Sequence, residues 1–187
     1  GLVGSEMCIR DRDTPVKTYL PDFKMADERF AEITVRMLLN HSSGLMGSTF
    51  TSGVLFNDPD ETAADTLLER LSTQTLKASP GAFSVYCNDG FTLAELVAEA
   101  VSGMDFDDYV RQAILEPAGL EDTWFPGEDF DQSLLAKTYY GADETRALPA
   151  ETVGVHGTGG IYATASDLAA FGGALCGDCL LYTSDAA

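Results

Sequence analysis

Few residues in this chain have the type and spacing to do chemistry. There are two histidines, His41 and His156, and four cysteines. Two histidines cannot make a three-histidine metal site, and Cys176-Gly177-Asp178-Cys179 is a lone Cys-x-x-Cys with no second pair or histidines to complete a zinc set. The chain holds no His-Glu-x-x-His, no phosphate-binding loop and no Gly-x-Ser-x-Gly turn. The run 157–160 is glycine-rich, but it is short and lacks the lysine of a phosphate cradle. No metal or cofactor is expected. Asp105, Asp107 and Asp108 crowd a predicted helix start, where the helix dipole favours them. Glu128, Asp129 and Asp131 read as a solvated loop. His41 reads as a structural histidine hydrogen-bonded near Ser42 at a helix end, and His156 as a loop residue. Tyr86 and Asn88, taken alone, read as a half-buried strand aromatic and a helix N-cap.

The elements that position these residues follow from periodicity and punctuation. Residues 13–23 read as extended, because Pro15 and Pro21 exclude a helix across them. A short buried helix is predicted over 33–41, with Thr34 as its cap and Gly44 ending the segment. Residues 49–59 read as a loop. Apolar or small residues at 63, 64, 67, 68 and 71 predict an amphipathic helix over 60–76. Ser79-Pro80-Gly81 is a turn and 83–86 a short extended stretch. A helix over 92–101 is predicted with Asn88 or Asp89 as cap and Gly103 as stop. Another runs over 105–115, closed by Pro117 and Gly119. Residues 124–149 read as irregular and 156–160 as a flexible loop. Thr164 or Ser166 then caps a last helix over 167–175. The expected piece is mainly helical, with long loops and few short strands.

Composition bounds the partners. The chain has 187 residues, 30 acidic and 11 basic, and a formal net charge of −19. That balance disfavours nucleic acid, because phosphate binding needs local positive charge. No apolar run approaches the ~18 residues of a membrane span. What remains is a small molecule or another protein.

Three blocks occur in order: Ile33-Thr34-Val35-Arg36-Met37-Leu38-Leu39-Asn40-His41-Ser42-Ser43-Gly44-Leu45, then Pro80-Gly81-Ala82-Phe83-Ser84-Val85-Tyr86-Cys87-Asn88-Asp89-Gly90-Phe91, then Gly159-Gly160-Ile161-Tyr162-Ala163-Thr164-Ala165-Ser166-Asp167-Leu168-Ala169-Ala170-Phe171. Their order and spacing resemble the serine β-lactamase and penicillin-binding-protein family, most of all the branch with class C β-lactamases, D,D-carboxypeptidases, D-aminopeptidases and related esterases. The resemblance implies the α+β fold of β-lactamases and transpeptidases. It also implies acyl transfer from an amide, peptide or ester through a serine ester, without metal or cofactor, and suggests a place outside the cytoplasm. The family uses a Ser-x-x-Lys pair, a Tyr-x-Asn motif and a Lys- or His-[Ser/Thr]-Gly strand. Serine needs a neighbouring base to attack, and a lysine three residues on lies on the same helical face. The tyrosine can exchange protons with nucleophile or leaving group. The asparagine amide can hold the substrate amide and the lysine. Carried over, Tyr86 matches the tyrosine and Asn88 the asparagine, with Cys87 between them.

The other two motifs are missing. Only Lys17 has a hydroxyl residue three positions earlier, in Thr14-Pro15-Val16-Lys17, and the prolines make that a poor helix. In His156-Gly157-Thr158 the histidine is followed by glycine, not by a hydroxyl residue and then glycine. The nucleophile is expected upstream of Asp13, and this chain alone is expected to be inert. Residues 1–12 and 179–187 resemble translated sequencing-adaptor DNA, leaving 13–178 as a partial domain. Removing those ends leaves the charge almost unchanged and leaves only Cys87 and Cys176. The alternative is a complete, non-catalytic, acidic helical module that binds another protein.

Overall fold

In the computed structural model, residues 11–47, 54–56, 63–64, 66–141, 146–149 and 151–176 are described. Of the adaptor-like runs only residues 11 and 12 are among them, and Cys179 lies outside. Cys87 is buried, Cys176 is exposed, and both are free thiols.

The first helix, α1 (Val35–Leu39), starts where predicted. Thr34 has extended backbone and its hydroxyl accepts from the Met37 amide at 3.4 Å. Ile33 and Leu38 are fully buried. The next helix, α2 (Leu67–Leu71), is shorter than the predicted 60–76 among the described residues. Past Leu71 the hydroxyls of Ser72 and Thr73 donate back to the Glu69 and Arg70 carbonyls. Such side-chain bonds compete with continued helix, so the apolar period outran the helix it marked.

The main element is α3 (Asn88–Ser102), closed by Gly103 at φ 69°. It begins four residues before the predicted start, and Cys87, not Asn88 or Asp89, occupies the cap position without a side-chain cap bond. The cap is supplied from elsewhere in the chain, because the Asp89 amide donates to the Gly47 carbonyl at 2.9 Å. Helix α4 (Phe106–Val110) is capped by Asp105, whose carboxylate accepts from the Asp107 amide. It runs through a wider π-turn, Arg111–Leu115, into α5 (Glu116–Ala118), and Gly119 at φ 66° ends it. The last helix is α6 (Ala165–Cys176). Of the two predicted caps it uses Thr164, whose hydroxyl accepts from the Asp167 amide at 3.2 Å.

Strands are few and short, as expected. β1 (Val54–Phe56) pairs antiparallel with β3 (Glu151–Val153), and β2 (Thr123–Trp124) with β4 (Tyr162–Ala163). β1 lies inside the run read as a loop, because a three-residue strand is too short to show a period of two. Residues 13–23 are not uniformly extended either: Val16–Thr18 form one 3-10 turn directly after Pro15, which fits proline at a helix start.

Among the described residues, two larger apolar clusters and a small third one (Ala63, Ala64 and Val155) form the interior. One gathers Val16, Phe23, Ile33, Leu38, Leu45, Leu67, Leu71 and Leu93. The other gathers Val110, Leu115, Leu120 and Phe125. Helix α3 serves both sides. Leu93 and Val97, one turn apart, enter the first cluster. Thr92 and Glu95, equally buried, lie on a neighbouring stripe that meets the segment around Gly157.

Candidate functional site

The Tyr86 segment is stitched to the turn after α1. Gly81 and Val85 donate their amides to the Ser42 and His41 carbonyls at 2.8 and 3.0 Å, and the Ser84 hydroxyl donates to the Asn40 carbonyl at 2.8 Å. The Cys87 thiol donates to the Gly47 carbonyl at 3.3 Å. Gly44, at φ 81°, lets the two segments approach: a Cβ there would collide with the Ala78 carbonyl oxygen. The predicted end of the α1 segment at Gly44 thus has a steric reason.

His41 is hydrogen-bonded just past the end of α1, as expected. Its Nδ1 accepts from the Cys87 amide at 3.2 Å, which puts the ring proton on Nε2. The ring lies 4.8 Å from Tyr86 and 5.1 Å from Phe91, tilted against both. The residue is left-handed, at φ 62°, the one non-glycine residue so placed among those described. A strained histidine therefore holds the backbone between Tyr86 and Asn88. Ser42 bonds instead to the Asn40 side chain.

Tyr86 is 69% exposed, the reverse of a half-buried strand aromatic. Asn88 is partly buried as the first residue of α3, and its carbonyl accepts from the Thr158 hydroxyl at 3.0 Å. The structure thus brings Tyr86 and Asn88 together on one braced turn, with Cys87 buried between them. Burial pushes the Cys87 thiol up from its ordinary pKa. Lys17 lies inside a single 3-10 turn, Val16–Thr18, and Thr14 precedes its cap Pro15, so the two share no helical face, which removes them as a nucleophile and base.

His156 and Glu128 depart from expectation. His156 is not a free loop residue: its Nδ1 lies 2.8 and 2.9 Å from the two Asp107 carboxylate oxygens, and its ring stacks on Phe125 at 5.6 Å. Glu128 is not simply solvated. It pairs with Arg111 and accepts from the Phe125 amide at 2.8 Å. Asp129 and Asp131 are exposed, as expected, and Asp131 caps its own turn. Around them a cavity of about 450 Å³ opens between α3 and α4, walled by Glu95, Glu99, Asp107, Glu128 and His156.

Glu95 and Asp167 escaped the sequence reading. Glu95 is 7% exposed and accepts from the Gly157 amide at 2.9 Å. Burial pushes its carboxyl up to about 7; the Gly157 amide and His156 oppose the rise, while Glu99 and Asp107 add to it. Asp167 accepts from the Asp122 amide and the Thr123 hydroxyl, both at 2.8 Å, and so ties α6 to β2. Neither carries a local signal, since each partner lies more than forty residues away. Among the described residues, no three His, Cys, Asp or Glu side chains converge as metal ligands. No described helix is long and apolar enough to cross a membrane.

The model of the family described as Beta-lactamase matches residues 10–185. A Bacillus subtilis sequence named as penicillin-binding protein PbpX is 28% identical over 164 residues, covering 86% of this chain and 39% of that protein. The D-aminopeptidase of Brucella anthropi is 32% identical over 167 residues, covering 85% of this chain and 30% of that protein. The D-amino acid amidase of Ochrobactrum anthropi SV3, solved with L-phenylalanine amide, superposes with a TM-score of 0.71 at 26% identity, covering 89% of this chain and 50% of that one. The chain therefore spans well under half the length of these two curated relatives.

Proposed function

The chain belongs to the Beta-lactamase family, and from that premise we propose that the whole protein is a serine hydrolase that opens an amide, peptide or ester bond through an acyl-enzyme. Tyr86 is the residue that exchanges protons with the nucleophile or leaving group, and Asn88 the amide that holds the substrate. The observation that carries this reading is the exposed phenol of Tyr86 on a turn braced by His41, immediately before the helix that Asn88 opens. An exposed aromatic on a rigid turn is oriented toward whatever lies outside it. A catalytic group held this way needs little reorganisation when it reacts. The relatives support the substrate class, since one is named a D-aminopeptidase and another a D-amino acid amidase. We also propose that residues 13–178 are the native part of the chain, with a foreign run at each end, and that the protein works outside the cytoplasm.

Covalent labelling tests the reading. A fluorophosphonate or fluorescent penicillin is offered to this chain and to the gene product extended upstream of Asp13. The extended protein is expected to label and this chain is not. In the extended protein, Tyr86→Phe is expected to slow labelling by roughly 10²- to 10⁴-fold, the usual contribution of a positioned proton-transfer group. Labelling of this chain overturns the missing nucleophile. An extended protein that never labels overturns the hydrolase and favours the protein-binding module.

A further inference from the structure

The segment 155–158 lies against α3 from its first residue to its second turn. The Gly157 amide donates to Glu95 Oε2 at 2.9 Å. A Cβ at position 157 would stand 2.6 Å from Glu95 Cβ and 3.1 Å from the Phe91 carbonyl oxygen, so only glycine lets the backbone come this close. Val155 is 1% exposed and His156 is held by Asp107, so the segment is anchored immediately before the glycine. The next residue, Thr158, reaches the start of the helix. Its hydroxyl oxygen lies 3.0 Å from the Asn88 carbonyl oxygen and 2.7 Å from the Thr92 hydroxyl. A carbonyl only accepts, so Thr158 donates its single proton to Asn88 and accepts from Thr92.

We propose that Thr158 is a positioning residue for Asn88, and through it for the Tyr86–Asn88 turn; this rests on the reading of that turn as the reactive site. The physical case is directional. On one side, the Cys87 amide next door in sequence is held by His41 Nδ1. On the other side the Thr92–Thr158–Asn88 relay grips its backbone carbonyl across 70 residues of chain. The backbone of Asn88 sets where its amide side chain points, because χ1 is staggered relative to that backbone. Thr158 touches no reacting atom in this arrangement. Its effect passes through the peptide unit of Asn88.

The test is hydrogen exchange and ¹⁵N spectroscopy on the 187-residue chain, which does not depend on activity. Thr158→Val keeps the shape and removes the hydroxyl. The Thr92 amide, whose helical acceptor is the Asn88 carbonyl, is expected to exchange roughly 10-fold faster as that first turn opens locally. The Asn88 side-chain amide signals are expected to shift, while Leu93 and Val97 exchange within about 2-fold of wild type. Thr158→Ser is expected to restore both readouts. Thr92→Val, which removes only the far donor, is expected to give the same local pattern at smaller size and serves if Thr158→Val does not fold. Unchanged Asn88 signals, loss of protection spread evenly along α3, or no rescue by serine each overturns the proposal. If Asn88→Ala leaves labelling of the extended protein intact, the site reading fails while this result stands.

Discussion

The two faces of helix α3 belong to different kinds of protein interior. On one, Leu93 and Val97 enter a dry aliphatic cluster with Leu38, Leu45, Leu67 and Leu71. On the other, Thr92 and Glu95 meet the 155–158 segment in a layer of hydrogen bonds and carboxylates around Asp107, His156, Arg111 and Glu128. The first face is non-directional: it holds by excluded water and tolerates small shifts. The second is directional and charged: each bond has one partner and one geometry, and its strength follows pH. The candidate site sits where the two meet. Its rigidity comes from the aliphatic side, and its registration comes from the polar side.

Cutting a cavity into the aliphatic face is the strongest way to break the comparison. Leu93 is fully buried at the centre of the first cluster. Leu93→Ala is expected to cost about 3 kcal/mol, within the range for large-to-small core changes. The denaturant midpoint should fall with an unchanged slope. The loss should be the same at pH 5 and pH 8, because the first cluster consists of apolar side chains. A loss that grows with pH would mean the two faces are not separable.

The polar face responds in the opposite way. Glu95 has a folded pKa of about 7 against an ordinary 4.5. The folded protein therefore holds a proton that the unfolded chain releases in between. Stability from this group is fully present below pH 4.5 and is lost as pH rises through 7. The gap corresponds to up to about 3 kcal/mol. Glu95→Gln stays neutral throughout and still offers Gly157 an acceptor. Its stability relative to wild type is expected to be near zero at pH 4.5 and to climb by up to about 3 kcal/mol at pH 8, read from urea midpoints across that range. A flat difference would show that Glu95 is hydrated.

How legible this division was depends on the face. The aliphatic side was readable: Thr34, Gly103 and the apolar positions of α1 and α3 carry local signals, and the structure honours them. Tyr86 and Asn88 were readable only as a motif with neighbours. Their bracing by His41 depends on a turn that no period announces. The polar side was nearly invisible. His156 read as a loop residue because its partner, Asp107, lies 49 residues away on α4. Glu95 sits among alanines and leucines with nothing to mark its burial. Directional contacts between distant segments leave no repeat in sequence, whereas a buried stripe does.

The smallest change tests whether a lone polar bond on the aliphatic side behaves like the polar layer. Thr34 caps α1, and its hydroxyl accepts from Met37 at 3.4 Å, a long bond in a part-buried place. Thr34→Ala removes one cap from a five-residue helix whose buried residue, Leu38, stays in the core. The expected cost is about 1 kcal/mol, typical of an N-cap. Because neither partner ionises, that cost should hold steady from pH 5 to pH 8, while Glu95→Gln drifts. If Thr34→Ala also drifts with pH, charge reaches across α3, and the helix joins the two interiors instead of separating them.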